Sequence, residues 1–98
     1  MSEKIYTLYE NGSICGLSER QQVHNNGILH LAVQCWVINT KGEVLIQKRA
    51  ATKDSSAGKW DVSFGGHCTK TNGEDILLEN VIKEGKEELG LEIQPKDL

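Results

Sequence analysis

Apolar and polar positions alternate in short runs over the first two thirds of the chain, then change to a helical spacing near its end. Residues 4–9 alternate around Ile5, Tyr6, Leu8 and Tyr9, and residues 13–17 form a second short, partly apolar run. Asn11-Gly12 lies between them. Asn-Gly between two such runs predicts a hairpin, because both central residues of the tightest turn need positive φ. The polar stretch 18–22 suits one helical turn or a loop, and Asn25-Asn26-Gly27 breaks the chain again. Two strands follow, over 30–39 with Val33, Trp36, Val37 and Ile38, and over 43–49 with Val44, Leu45 and Ile46 at its centre. Thr40-Lys41-Gly42 joins them as a turn. Residues 50–59 are small and polar and read as a loop. A short strand over 60–64 ends at Gly65-Gly66.

The segment 74–89 carries the helical pattern. Asn72 is a plausible cap, Glu74 and Asp75 suit the positive end of the helix dipole, and Gly90 stops the helix. At 100° per residue, Leu78, Val81, Ile82, Gly85 and Leu89 share one side. Glu84, Glu87 and Glu88 occupy another sector with Asn80 beside them. One further apolar piece, 91–93, follows.

Composition narrows the class. Ninety-eight residues with 38% hydrophobic content make one small domain, 1–98, with a thin core. The longest mostly apolar run, 28–39, is broken by His30 and Gln34 and is short of the roughly 20 residues of a spanning helix. No apolar signal segment follows the first four residues. A net charge of −3 argues against a broad basic face for duplex nucleic acid. Cys15, Cys35 and Cys68 are odd in number and show no CxxC spacing, so neither a disulfide framework nor a zinc site is expected, and a reducing cytoplasm suits them. Cys35, inside an apolar run, reads as a small buried hydrophobe.

The chemistry is concentrated in the acidic helix. Three glutamates three and four residues apart repel one another, although Lys83 and Lys86 offset part of this. A glutamate-rich helix is commonly just a solvated face. The functional alternative is a site for Mg²⁺ or Mn²⁺, hard ions that bind through a few carboxylates, water and substrate phosphates.

The context of that helix resembles the Nudix box. The family pattern is Gly, five residues, Glu, seven residues, then Arg-Glu-apolar-any-Glu-Glu-any-Gly-apolar. Glu84, Glu87, Glu88, Gly90 and Leu91 match its end, and seven residues separate Asp75 from Lys83. Three positions and one spacing depart from it. Lys83 stands for Arg, Asp75 for the first Glu, Gly85 for an apolar residue, and eight residues rather than five separate Gly66 from Asp75, a three-residue insertion in 68–73. The stretch 27–67 is similar to the isopentenyl-diphosphate-isomerase-like branch of the family. It has Leu29-His30 leading into the first core strand, Gln47-Lys48-Arg49 at a strand end, and Gly58-Lys59-Trp60 before Gly65-Gly66-His67.

The resemblance implies an α/β (α+β) fold, an α/β/α sandwich with a mixed sheet, and hydrolysis of a nucleoside diphosphate-linked compound or similar organic diphosphate. Glu84, Glu87 and Glu88 would be the catalytic and metal-binding carboxylates, with the Gly66 carbonyl as a further metal contact. Arg49, Lys48 and Lys53 would meet the diphosphate. In the isomerase a cysteine precedes the Gly-His; Gly65 fills that place here, and Cys68 lies on the other side of His67. His24, His30 and His67 stand where that enzyme has histidines. The alternatives to hydrolysis are isomerase-like activity and a non-catalytic diphosphate-binding module. Family members continue past the box helix, so the sequence leads to the expectation of a domain lacking its C-terminal part. Either two copies would then cover the open sheet, or the chain would be a shortened one of weak activity.

Overall fold

The computed structural model describes residues 3–52 and 56–98. Its elements are β1 (Lys4–Leu8), β2 (Ile14–Glu19), α1 (Arg20–Asn25), β3 (Ala32–Cys35), β4 (Gln47–Lys48), β5 (Trp60–Asp61), β6 (Phe64–His67), α2 (Ile76–Leu89) and a closing 3-10 turn, Pro95–Asp97. The combination is α+β. Among the described residues no helix is long and apolar enough to cross a membrane.

Three antiparallel pairs, β1–β2, β3–β6 and β4–β5, make up the ladders. Backbone bonds stitch the first two together. Tyr6 donates to the Cys68 carbonyl, Leu31 donates to Tyr6, and Cys68 donates to Leu31, each at 2.9 Å. The β1–β2 turn contains Gly12 at φ +88°, as Asn-Gly predicts. Asn11 is not left-handed; its side chain instead accepts from Ser13 N at 2.9 Å, an Asx turn in a longer loop.

The expected long strands are shorter. Of 30–39 only Ala32–Cys35 forms a ladder, and of 43–49 only Gln47–Lys48. A single Ile38–Val44 bridge continues the hairpin between them. Gly65 and Gly66 do not end a strand but lie within β6, facing Gln34 and Val33. Cys35 is only partly buried, whereas Cys68 is fully buried.

The core is small. Ile5, Val23, Val33, Phe64 and Cys68 are its buried apolar side chains. Helix α2 packs on β6 and β3. It starts two residues later than the expected 74, and its cap is not Asn72. Asp75 is the N-cap, accepting from Leu78 N at 3.2 Å, and Gly90 closes the helix at φ +68°.

Gly85 replaces an apolar residue of the motif for a steric reason. A Cβ there would lie 2.5 Å from Ile93 Cδ1 and 3.1 Å from Phe64 Cζ. Gly85→Leu is therefore expected to lose about 1–3 kcal/mol by overpacking, and Gly85→Ala to fall short of the roughly 1 kcal/mol that helix propensity alone promises. Urea titration of both variants measures the two terms, and a fully realised propensity gain in Gly85→Ala would remove the steric account.

Candidate metal and diphosphate site

Strand β6 is where the site is assembled, because three sets of side chains converge on four residues. The first set comes from α2. The Glu84 carboxylate lies so close over Gly66 that a Cβ there would sit 2.5–2.8 Å from its atoms. Glu88 Oε2 accepts from Gly65 N at 3.0 Å, and Glu87 is exposed on the same helix. The acidic sector is thus not a free solvated face; two of its three carboxylates turn onto the glycine pair.

Asn80, which a helical projection puts beside the glutamates, is fully buried. Its Oδ1 accepts from Thr69 N at 3.1 Å, and its Nδ2 donates to the carbonyls of Thr69 at 2.9 Å and Ile76 at 2.8 Å. Lys83, standing for the motif's arginine, donates to Thr69 Oγ1 at 2.9 Å. Glu79 accepts from Gly73 N at 2.8 Å. The lengthened loop after β6 is therefore held to α2 at both ends.

The second set is a histidine cluster. His24 from α1, His30 before β3 and His67 at the end of β6 bring ligand nitrogens within 4.8 Å of one another. His24 Nε2 and His67 Nε2 are 3.1 Å apart, so one donates to the other. His30 Nδ1 is 2.8 Å from the Ile28 carbonyl. A carbonyl only accepts, so Nδ1 carries the proton and Nε2 keeps its lone pair. A backbone partner on one imidazole nitrogen is the usual way to aim the other at a metal. Tetrahedral Zn–N bonds of about 2.0–2.1 Å place ligand nitrogens roughly 3.3 Å apart; the His24–His67 pair at 3.1 Å is near that, and the cluster's full span of 4.8 Å has to shorten by roughly 1.5 Å for all three to hold such an ion.

The third set, Lys48, Arg49, Lys59 and Trp60, lines one cleft of about 720 Å³ together with Gly65, Gly66, His67 and Glu88. Arg49 Nη1 pairs with Asp61 Oδ2 at 2.9 Å. The expected third basic residue, Lys53, lies outside the described residues.

Electrostatics distinguish the two metal-type clusters. Burial, then the neighbouring Glu87 and Glu88, push the Glu84 carboxyl up, while Lys83 opposes them. Burial, then His24, His30 and Arg20, push the His67 imidazole down. A depressed histidine keeps its neutral, ligating form into mildly acidic solution. Its contribution to stability is complete above the unfolded value near 6.5 and is lost as pH falls through the folded value. The Val62 amide, then Arg49, hold Asp61 below the usual carboxylate range.

Chain order obscured part of this site. Asp61 and Lys59 join it only because β5 pairs with β4 in the register Lys48–Trp60 and Gln47–Asp61. The histidines are separated by 6 and 37 positions and have no ligand-like spacing; only the antiparallel β3–β6 register brings His67 beside Ala32 and thus to His30.

The family model of the NUDIX domain matches residues 28–98. An uncharacterized Nudix hydrolase of Clostridium acetobutylicum is 34% identical over 102 residues, which cover 100% of this chain and 48% of that protein. Nudix hydrolase 3 of Arabidopsis thaliana is 38% identical over 97 residues, covering 97% of this chain and 12% of the plant protein. The isopentenyl-diphosphate Delta-isomerase of Citrobacter koseri is 32% identical over 92 residues, covering 93% and 49%. The chain spans about half the length of these two bacterial relatives.

Proposed function

The chain belongs to the Nudix family, and from that premise we propose that it acts on an organic diphosphate by metal-dependent hydrolysis. The observation that supports this best is the meeting of Glu84 and Glu88 with the Gly65-Gly66 pair, in a cleft that Lys48, Arg49 and Lys59 also line. Carboxylate oxygens are the donors that Mg²⁺ and Mn²⁺ prefer, so Glu84, Glu87, Glu88 and the Gly66 carbonyl would hold such an ion. When bound, it neutralises phosphate charge and polarises the phosphoryl oxygen.

The remaining tasks fall to the chain's own side chains. Arg49 offers a planar fork to a phosphate, and Asp61 fixes its orientation. Lys48 adds a second cation, and Lys53 belongs to the same proposed set. Glu84, whose carboxyl burial and the neighbouring glutamates hold above the usual carboxylate range, accepts a proton from the attacking water. Phosphoryl transfer depends mainly on such positioning and charge balance. A screen of nucleoside-linked and other organic diphosphates that reads the phosphomonoester products, as phosphate freed by added alkaline phosphatase, run with Mn²⁺ or Mg²⁺ and with chelator added before the phosphatase step, tests the reading. Turnover that chelator stops is expected; turnover indifferent to both metal and chelator would overturn it.

The histidine cluster and the isomerase relatives favour a second reading, isomerisation of an isopentenyl-type diphosphate. Gly65 opposes it. It occupies the place of the isomerase cysteine, and a Cβ at that position would lie 2.6 Å from the Val33 carbonyl and 3.3 Å from Gln34 Cα. Both are backbone atoms of the paired strand, so relief requires the ladder itself to move. Gly65→Cys is expected to lose about 1–3 kcal/mol and to gain no isomerase activity. Thermal melting and a double-bond isomerisation assay check both halves, and a stable, isomerase-active variant would restore the second reading.

A further inference from the structure

We propose that Asn80 is a positioning residue: it fixes the height of α2 along β6 and thereby where Glu84 and Glu88 meet the glycine pair. Asn80, Glu84 and Glu88 follow one another at four-residue intervals and form one row on the helix. Each touches β6 or its continuation at a different level. Asn80 holds Thr69, Glu84 lies over Gly66, and Glu88 accepts from Gly65 N. Strand numbers fall as helix numbers rise, so the helix and the strand run antiparallel.

The lengths of the two elements match. From Asn80 to Glu88 the helix advances about 12 Å at 1.5 Å per residue. From Gly65 to Thr69 an extended chain advances about 13 Å at roughly 3.3 Å per residue. The first and last contacts therefore lie level with each other, and a slip at one end displaces the other by the same amount.

These outer two contacts use the same strand edge. Cys68 N donates to the Leu31 carbonyl at 2.9 Å, on the β3 side. Backbone groups alternate between the two edges along a strand, so those of Thr69 and Gly65 face away from β3. Asn80 takes both groups of Thr69, the N–H at 3.1 Å and the carbonyl at 2.9 Å, as a neighbouring strand would.

The contacts of the row differ in kind. Glu84 and Glu88 are carboxylates, which repel one another and change charge with protonation. Asn80 is neutral at every pH, fully buried, and bound through both ends of its amide. It also donates to the Ile76 carbonyl at 2.8 Å, so its own helix braces it. Lys83 donates to Thr69 Oγ1 at 2.9 Å and adds a second tie to the same residue. The apolar packing of α2 on Phe64 is non-directional and sets the height less sharply. The anchor is thus the amide, one helical turn before Glu84, and the carboxylates take their height from it.

Amide signals of the metal-free protein test this geometry without any activity. The Gly65 amide reports the Glu88 contact, and the Cys68 amide, bound to Leu31, reports the ladder. In Asn80→Ala, Gly65 is expected to lose the downfield shift of a charge-assisted bond and to exchange about tenfold faster, while Cys68 stays protected. Thr69→Val removes the Lys83 tie and the weaker hydroxyl contact to Asn80 at 3.4 Å. It is expected to change Gly65 in the same direction by less, and Thr69→Ser to restore it. An unchanged Gly65 in Asn80→Ala overturns the proposal. So does a loss of Cys68 protection in step with Gly65, which would make Asn80 a residue of stability alone. The consequence for catalysis rests on the hydrolysis proposed above. Asn80→Ala is expected to lower kcat by about a hundredfold, as a misplacement of about 1 Å can, with KM for the diphosphate unchanged. An unchanged kcat beside an active parent overturns the role in catalysis. An inactive parent would refute the hydrolysis itself, and the Gly65 comparison would still decide what Asn80 positions.

Discussion

Glu84→Gln is expected to lower metal-dependent diphosphate hydrolysis by about a hundredfold or more while raising the melting temperature of the metal-free protein. Both effects come from one carboxylate. It sits over Gly66, beside Glu87 and Glu88, where burial and like charge disfavour its ionised form. Its folded pKa is raised above the unfolded value, so at neutral pH the fold holds an unfavourable charge. That penalty is complete above the folded pKa and disappears as pH falls below the unfolded value near 4.3. The glutamine variant should therefore be the more stable protein at pH 7, and the difference should fade in acid. Melting curves in chelator across that range, set beside turnover with Mn²⁺, measure the two consequences separately. Glu87→Gln and Glu88→Gln are expected to lose activity in parallel. Full activity in both would remove the carboxylates from the proposed mechanism.

The largest effect on stability is expected from Asn80→Leu. The substitution keeps roughly the same volume but leaves Thr69 N and Thr69 O without their side-chain partner. Each unsatisfied buried polar group costs about 1–3 kcal/mol, so a loss of about 3 kcal/mol is expected. For a domain of this size that corresponds to a fall of roughly 12–24 °C in melting temperature. The site should suffer as well, because Asn80 ties the segment after His67 to the helix that carries the glutamates. Asn80→Asp separates geometry from charge. It keeps the acceptor for Thr69 N but loses the donor to the Thr69 and Ile76 carbonyls, and it is expected to fall between the two. Calorimetric melting of the three proteins orders them, and an Asn80→Leu variant as stable as the parent would show that the network contributes nothing net.

Local signals in the chain were enough for the elements whose stability is local. The α2 stop at Gly90 and the turn at Gly12 each follow from the intrinsic preference of one residue, and each is present, whereas the cap is Asp75 rather than Asn72 and Glu74 lies before the helix. The spacing of Glu84, Glu87 and Glu88 likewise placed them together, because helix geometry depends on neighbours three and four positions away. Strand lengths were less legible. The apolar run over 30–39 would suit a full ladder, but pairing needs a partner, and β6 offers only the four residues from Phe64 to His67. The hairpin beyond it keeps the β-forming residues but pairs only through the Ile38–Val44 bridge and its neighbouring hydrogen bonds, and Trp36, Ile38 and Val44 remain exposed.

The same division runs through the candidate site. By itself the sequence determined the acidic helix, the glycine pair and the family to which they belong, since these are contiguous and carried by residue type. Only the tertiary structure decided that Asn80 is buried, that Gly85 lies tight against Ile93 and Phe64, and that Gly65 has no space for a side chain. It also decided that His24, His30 and His67 meet, and that Asp61 reaches Arg49. The physical reason is common to all of them. Each depends on the register of strands or the packing of a helix against a sheet, and such contacts are set by steric fit between distant segments rather than by any preference that a residue has on its own.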